Sequence, residues 1–289
     1  MVASSDPVVT GAVLATADIV TLPREAFEAA CRGAASPSYL GGGLALCRIM
    51  ARYKLYVATS DDGFGANVLL DGYWESWLTR FMARRITPGA TVVDVGANFG
   101  YYSLLLADLA GAKGRLYAVE PNPDVAALLR RSIALNGFGP RTTICEAAAG
   151  DRDGGSAILF VPKHEPKNAA VMSEDAVAAR AGTRHTVPCR TLDSIVGGLR
   201  VDFIKIDAEG AEQDIIAGME QIFAAGPPNM VLEFNAARYA DPRGFLERLI
   251  GIYGSLRHID FDAEAVPVSP ERVLTEQFGE DWLLFLSRS

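Results

Sequence analysis

Eight residues constrain this chain more than any others: Val93-Asp94-Val95-Gly96-Ala97-Asn98-Phe99-Gly100, an apolar strand that ends in a glycine turn and opens directly into a helix. Glycines there let the turn tighten and let a ligand approach the backbone, while the helix N-terminus presents unpaired N–H groups. The turn belongs to a series of alternating units. The pattern predicts strands over 91–95, 115–120, 142–146, 201–207 and 229–234, and helices over 101–109, 124–136, 212–219 and 243–253. Alternation at this length means βαβ units, a parallel sheet and right-handed crossovers. The last strands, 256–261 and 282–287, have no helical crossover between them, which predicts an antiparallel pair closing the sheet.

The region before the turn reads differently. A short helix is predicted to begin near Thr21-Leu22-Pro23, with Phe27, Ala30 and Cys31 on its apolar stripe, and a second over 44–53 after Gly41-Gly42-Gly43. Residues 1–53 are therefore expected to form a helical arm that serves as a packing cap, a lid or a homodimer contact. Runs at 54–60 and 66–70 flank Asp61-Asp62-Gly63 and predict a small hairpin, and 73–85 has the spacing of an amphipathic helix. The main domain is expected over 54–289, interrupted at 150–190 by an irregular substrate-side insertion with a strand at 157–161 and a helix around 173–181.

A net charge of −8 and a pI near 5.0 give the chain no long-range attraction for nucleic acid or an anionic membrane surface. No run approaches the ~18 apolar residues of a membrane span, and no basic segment followed by an apolar core marks the N-terminus. Cys31, Cys47, Cys145 and Cys189 are dispersed without metal-ligand spacing, and read as buried thiols of a reducing, cytoplasmic setting.

The turn itself reads D-x-G-x-N-x-G rather than the G-x-G-x-x-G of a dinucleotide site, with Asp94 where a pyrophosphate would be repelled. That suits a cofactor carrying a positive group and disfavours a nicotinamide-linked oxidoreductase. Glu120, ending the second strand before Pro121-Asn122, can accept both hydroxyls of an adenosine ribose. After the third strand, Glu146-Ala147-Ala148-Ala149 offers small residues for a flat adenine, with Glu146 or the Ala147 N–H reading its edge. Asp207 and Glu209, in Lys205-Ile206-Asp207-Ala208-Glu209-Gly210-Ala211-Glu212, fall at a strand carboxyl end that faces the same crevice. Glu212 reads as first-turn helix electrostatics. Glu233, alone in an apolar strand, is costly unless paired or used, and with Asp207 and Asn235 it could form an oxygen-rich site for a hard cation. His164 and His185 in the insertion are alternative bases, and Lys167 and Asn168 could touch acceptor hydroxyls.

Taken in order, Asp71-Gly72-Tyr73-Trp74-Glu75, the 94–100 turn, Glu120-Pro121-Asn122, Leu135-Asn136, Thr191-Leu192-Asp193, the 205–212 run and Glu233 resemble the FkbM family of S-adenosylmethionine-dependent methyltransferases, over roughly residues 70–240. The resemblance implies a class I methyltransferase fold, a Rossmann-like α/β seven-stranded sheet of order 3-2-1-4-5-7-6 with strand 7 antiparallel. It implies methyl transfer from S-adenosyl-L-methionine, usually to a hydroxyl of a sugar or other natural product. Amide or peptide N-methylation, or cofactor binding without turnover, are the alternatives. The cofactor-side set is then Glu75, Asp94, Gly96, Asn98, Gly100, Glu120, Asn122, Glu146 and Ala147, and the catalytic candidates are Asp207, Glu209 and Glu233. The expected partner is a small-molecule glycan or secondary-metabolite acceptor, with no nucleic acid and no membrane; metal dependence stays open.

Overall fold

A computed structural model describes residues 13–163, 169–172, 177, 180–276 and 278–288. Helices α1 (Thr16–Thr21) and α2 (Arg24–Ala34) precede strands β1 (Ser38–Gly41), β2 (Leu44–Ile49) and β3 (Tyr53–Ala58), and helices α3 (Phe64–Asp71) and α4 (Ser76–Ala83) follow. The three strands form an antiparallel sheet of order β1-β2-β3. Two expectations are corrected here. The run 44–53 is strand rather than helix: Ala45, Cys47 and Ile49 are buried and Leu44, Leu46 and Arg48 are half-buried, so both faces carry apolar residues and the period of two was masked. The run 66–70 is helix rather than strand, its start tied by Asp61, whose Oδ1 accepts the N–H groups of Gly63 and Gly65 at 3.1 and 3.2 Å. The boundary drawn at 53/54 falls inside the β2–β3 hairpin, where Ile49 pairs with Tyr53.

The alternating units follow: β4 (Thr91–Val95), α5 (Tyr101–Ala110), β5 (Arg115–Val119), α6 (Pro123–Leu135) and β6 (Thr142–Cys145). Strands β7 (Ala148–Ala149), β8 (Ser156–Pro162), β9 (Ala170–Met172) and β10 (Gly182–Arg190) make a separate sheet of order β7-β10-β8-β9, so the insertion is far more regular than its sequence suggests. The helix expected around 173–181 falls mostly outside the described residues, as do His164, Lys167 and Asn168. The chain then completes the main sheet with β11 (Phe203–Ile206), β12 (Asn229–Phe234), β13 (Arg257–Ile259), β14 (Ala265–Pro267) and β15 (Trp282–Leu286).

The main sheet has the order β14-β13-β15-β12-β11-β4-β5-β6, eight strands rather than seven, because β14 extends the outer edge. Strands β4, β5, β6, β11 and β12 run parallel, and β15 runs antiparallel to both β12 and β13. Alternate side chains feed two cores. Val92, Leu116, Phe203 and Val231 pack under α4, α5, α6 and the small N-terminal sheet, while Val93, Val119, Ile204 and Leu232 pack against helices Glu212–Ala217 and Pro242–Tyr253 on the other face. Strands buried on both sides read as continuous apolar runs, which is why they were legible.

The N-terminal unit is fastened by polar side chains. Asn136, at the end of α6, accepts from the Lys54 N–H at 3.0 Å and donates to the Lys54 carbonyl at 2.7 Å, and Ser132 Oγ accepts from the Tyr56 N–H at 3.1 Å. Helix α6 thus satisfies the open edge of β3 as a neighbouring strand would. Asp108 on α5 accepts from Thr16, Arg52 and Tyr53. Among the described residues no helix is long and apolar enough to cross a membrane.

Candidate functional site

A cleft of about 980 Å³ runs along the carboxyl ends of the parallel strands and crosses the point, between β4 and β11, where the strand order reverses. Ligands of open α/β sheets bind at that position. One half lies over β4, β5 and the segment 147–149 that includes β7. Its wall includes Gly96, Ala97, Asn98, Glu120, Pro121, Asn122 and the three alanines 147–149.

The turn is held down before any ligand arrives. The N–H groups of Gly96 and Ala97 both donate to the Val119 carbonyl, at 3.0 and 3.1 Å. Gly96 has φ +72°, and a Cβ there would stand 1.7 Å from the Asp207 carbonyl oxygen, so the residue is required by the close approach of the loop after β11. Asn98, left-handed at φ 50°, donates its N–H to Glu120 Oε2 at 2.8 Å, while Glu120 Oε1 accepts from the Asn122 N–H at 2.9 Å. Burial pushes the Glu120 carboxyl up to about 7, against the opposing effect of those two N–H groups. Asn122 caps α6, accepting from the Asp124 N–H.

Three residues expected on this side are not on the wall. Asp94 is 0 % exposed and accepts from Ser103 Oγ at 2.6 Å. Burial raises its proton affinity, and Lys205, with Nζ 3.8 Å away, opposes that. Gly100 serves packing: a Cβ on it would meet Leu129 Cδ1 at 2.6 Å. Glu146 pairs with Arg130 on the surface.

The other half of the cleft is acidic. Lys205 is 3 % exposed and donates to Asp207 Oδ2 at 3.1 Å. Burial works against its charge, but Asp207, Asp94 and Glu75 outweigh burial and hold the ammonium well above its usual range. Asp207, Glu209 and Glu233 each place an oxygen within 4.8 Å of the others. Arg238 binds two of them, with Nη2 2.8 Å from Glu209 Oε2 and Nη1 2.7 Å from Glu233 Oε2, and its Nη2 lies 3.2 Å from Asp281 Oδ1. Burial first, then the charge of Asp207, raises Glu209 to about 7 and Glu233 well above the carboxylate range, despite Arg238. The carboxylates outnumber the cations that serve them. Asn235 is not part of this cluster, because its amide donates to Gly279 O and Asp281 Oδ1 and accepts from the Ala237 N–H. Glu212 holds the loop, accepting from the Ala208 and Gly210 N–H groups and the Tyr239 hydroxyl.

Glu75 reaches the cleft from the start of α4. It is left-handed at φ 37°, and its Oε2 accepts from the Tyr102 hydroxyl at 2.6 Å. Glu75, Asn98 and Glu209 are three non-glycine residues of positive φ on one wall, and such strain concentrates where ligands bind. Sequence reasoning missed Arg238, Asp281, His258 and the aromatic rim of Trp74, Trp77 and Phe261. His185 lies on β10 opposite Leu159, off the cleft wall, and among the described residues His258 is the histidine on it.

A family model described as Methyltransferase FkbM domain matches residues 94–269, more than half of the chain. Curated relatives match in part. The AMB antimetabolite synthetase AmbE of Pseudomonas aeruginosa is 26 % identical over 188 residues, covering 53 % of this chain and 9 % of the synthetase. A protein-L-isoaspartate O-methyltransferase of Aeropyrum pernix is 39 % identical over 79 residues, covering 27 % of each chain. The chain therefore spans well under a third of the length of either relative. Among solved structures, a methyltransferase FkbM from Methylobacillus flagellatus KT is 18 % identical, covering 69 % of this chain and 44 % of that one, with a TM-score of 0.45.

Proposed function

We propose, from the premise that this chain belongs to the FkbM methyltransferase family, that it moves the methyl group of S-adenosylmethionine to a hydroxyl oxygen of a sugar or natural-product small molecule. The observation that carries the reading is Glu120: each of its oxygens is fixed by a backbone N–H, and the carboxylate faces the cleft beside the Gly96 turn. Each oxygen keeps a lone pair for a ribose hydroxyl. The residues present fit such a cofactor, since Gly96 leaves no side chain over the turn, Ala147, Ala148 and Ala149 line a flat slot, and the acidic half suits positive charge.

When bound, the cofactor supplies an electrophilic methyl on a sulfonium. The chain's share is alignment, exclusion of water and removal of the hydroxyl proton. Lys205 fixes one oxygen of Asp207, and the other takes that proton. Glu209 and Glu233, locked by Arg238, shape the acceptor side.

Titration calorimetry with S-adenosylhomocysteine tests the cofactor. Micromolar binding lost in Glu120→Ala, with no response to NADH, is the expected result, and a wild type that does not bind sinks the reading. Transfer of a labelled methyl group to a panel of hydroxylated acceptors tests the chemistry.

A further inference from the structure

The N-terminal unit sends a carboxylate into the cleft wall, and that carboxylate has no paired cation. Glu75 Oε2 accepts from the Tyr102 hydroxyl at 2.6 Å, and among the described residues no other hydrogen bond and no salt bridge reaches its carboxyl group. Burial pushes this carboxyl up; Tyr102 and Lys205 pull it down, while Asp207 and Asp281 push it further up. Such a group is costly unless a cation meets it. The segment that carries it is clamped from both sides. Tyr101 and Tyr102 are adjacent at the start of α5: the Tyr101 hydroxyl accepts the Trp74 N–H at 3.0 Å and lies 3.1 Å from Thr79 Oγ1, while Tyr102 holds the Glu75 carboxylate. Behind the segment, Ser76 Oγ donates to Glu28 on α2.

Resting on the methyltransferase reading, we propose that Glu75 holds the α-ammonium of the cofactor's methionine tail, with Tyr102 as its positioning residue, so that the N-terminal unit completes the cofactor site. Strand order sets the direction. With adenine at 147–149 beyond β6 and ribose on Glu120 at the end of β5, sulfur comes over β4 and the tail runs on toward β11. Two strand spacings, ~10 Å, separate β5 from β11, about the reach from ribose to tail ammonium. Glu75 stands at that end, since Tyr102, which holds it, has Lys205 Nζ over its ring at 5.0 Å. Lys205 is engaged with Asp207 and Asp94, whereas Glu75 keeps one oxygen for the ligand. Glu75 precedes the 94–269 family match, so this contact lies outside the matched segment.

Titration calorimetry on the full chain tests the assignment with S-adenosylhomocysteine and its deaminated analogue, in which hydrogen replaces the ammonium group. Wild type should bind the deaminated ligand roughly tenfold or more weakly, the scale of one charge-assisted hydrogen bond, and Glu75→Gln should bring the two affinities together. Glu276→Gln removes the same charge from elsewhere on the wall and should leave the ratio of affinities intact. Glu120→Ala should weaken both ligands alike. Tyr102 has its own readout. Without its hydroxyl, Glu75 takes up a proton more readily beside Lys205, Asp207 and Asp281, so Tyr102→Phe should narrow the ratio at low pH and restore it as pH rises. The ratio is free of Glu120, which both ligands meet. A wild type that binds both ligands equally overturns the proposal and leaves the methyltransferase reading standing. So does a Glu75→Gln variant that keeps the wild-type ratio, or a Glu276→Gln variant that narrows it as far. A Tyr102→Phe ratio independent of pH overturns the positioning role. Failure to bind S-adenosylhomocysteine at all brings down the methyltransferase reading itself.

Discussion

The carbonyl oxygen of Asp207 occupies the space that a side chain on Gly96 would need, 1.7 Å from an ideal Cβ. Two loops from adjacent strands, β4 and β11, meet there with backbone against backbone. Gly96→Ala is expected to force them apart, lowering stability and abolishing S-adenosylhomocysteine binding together. Gly197 is the control: it is left-handed, with φ +64° and ψ 39°, but nothing lies within 4 Å of its Cβ position. Gly197→Ala should cost only the strain of a left-handed alanine, about 1–2 kcal/mol, with affinity unchanged. Urea melts and calorimetry on the two variants separate them, and equal losses would show that conformation rather than close approach governs Gly96.

Glu120 gives the cofactor site a pH dependence of known sign. Its carboxyl is raised by burial to about 7 in the unliganded fold, and the ionised form accepts both ribose hydroxyls, with stronger bonds than the protonated form, which turns one oxygen into a donor. Affinity for S-adenosylhomocysteine should therefore rise by up to about tenfold per pH unit below 7 and level off above it. The stability of the unliganded protein moves the other way. A folded-state pKa raised above the unfolded value contributes stability at low pH that is lost as pH climbs through 7, and Glu209, also raised to about 7 by burial, adds to the same trend. Melting temperatures measured from pH 5 to 8 with and without ligand should diverge.

How far the sequence is legible depends on whether a residue's task is local. Asp94 through Gly100 and Glu120 act within one strand–turn–helix unit, so residue type and spacing expose them. Asp94 is marked by the same turn, but its burial behind the wall and its meeting with Lys205, a partner from a strand far along the chain, are not local and left no sign in the spacing. Arg238 was invisible, because nothing local marks one arginine in a short 3₁₀ segment whose partners include Asp281. The same limit operated in the fold. Strands β4 and β12 were readable from continuous apolar runs, whereas β2 hid its alternation behind leucines on its open face, and α3 depended on Asp61 turning back on the chain.

Asn136 provides a test of how the N-terminal unit is attached. It pairs with both the N–H and the carbonyl of Lys54, and removing it leaves both groups without a protein partner. Asn136→Ala is expected to cost about 1–3 kcal/mol and to speed hydrogen exchange of the Lys54 amide by more than tenfold. The Tyr56 amide, held by Ser132, should respond to Ser132→Ala instead. If the two amides respond together to either substitution, the β3 edge opens as one unit rather than bond by bond.

Lys205 carries the most consequential substitution. Asp94 is fully buried, its Oδ1 has no hydrogen-bond partner, and the ammonium of Lys205 3.8 Å away is its counter-charge. Lys205→Met leaves that carboxylate uncompensated, a loss that runs to about 3–5 kcal/mol when one member of a buried pair is removed. The sign with pH follows from Asp94 itself. Burial already raises its proton affinity, and without Lys205 the raise is larger, so the variant is worst at high pH and recovers as Asp94 takes up a proton. The melting-temperature gap to wild type should shrink steadily from pH 8 to pH 5. Adding Asp94→Asn to Lys205→Met should restore most of the stability at pH 8, since no buried charge is then left alone. A double variant as unstable as the single one would assign Lys205 to packing against Tyr102, over whose ring its Nζ lies at 5.0 Å, rather than to charge compensation.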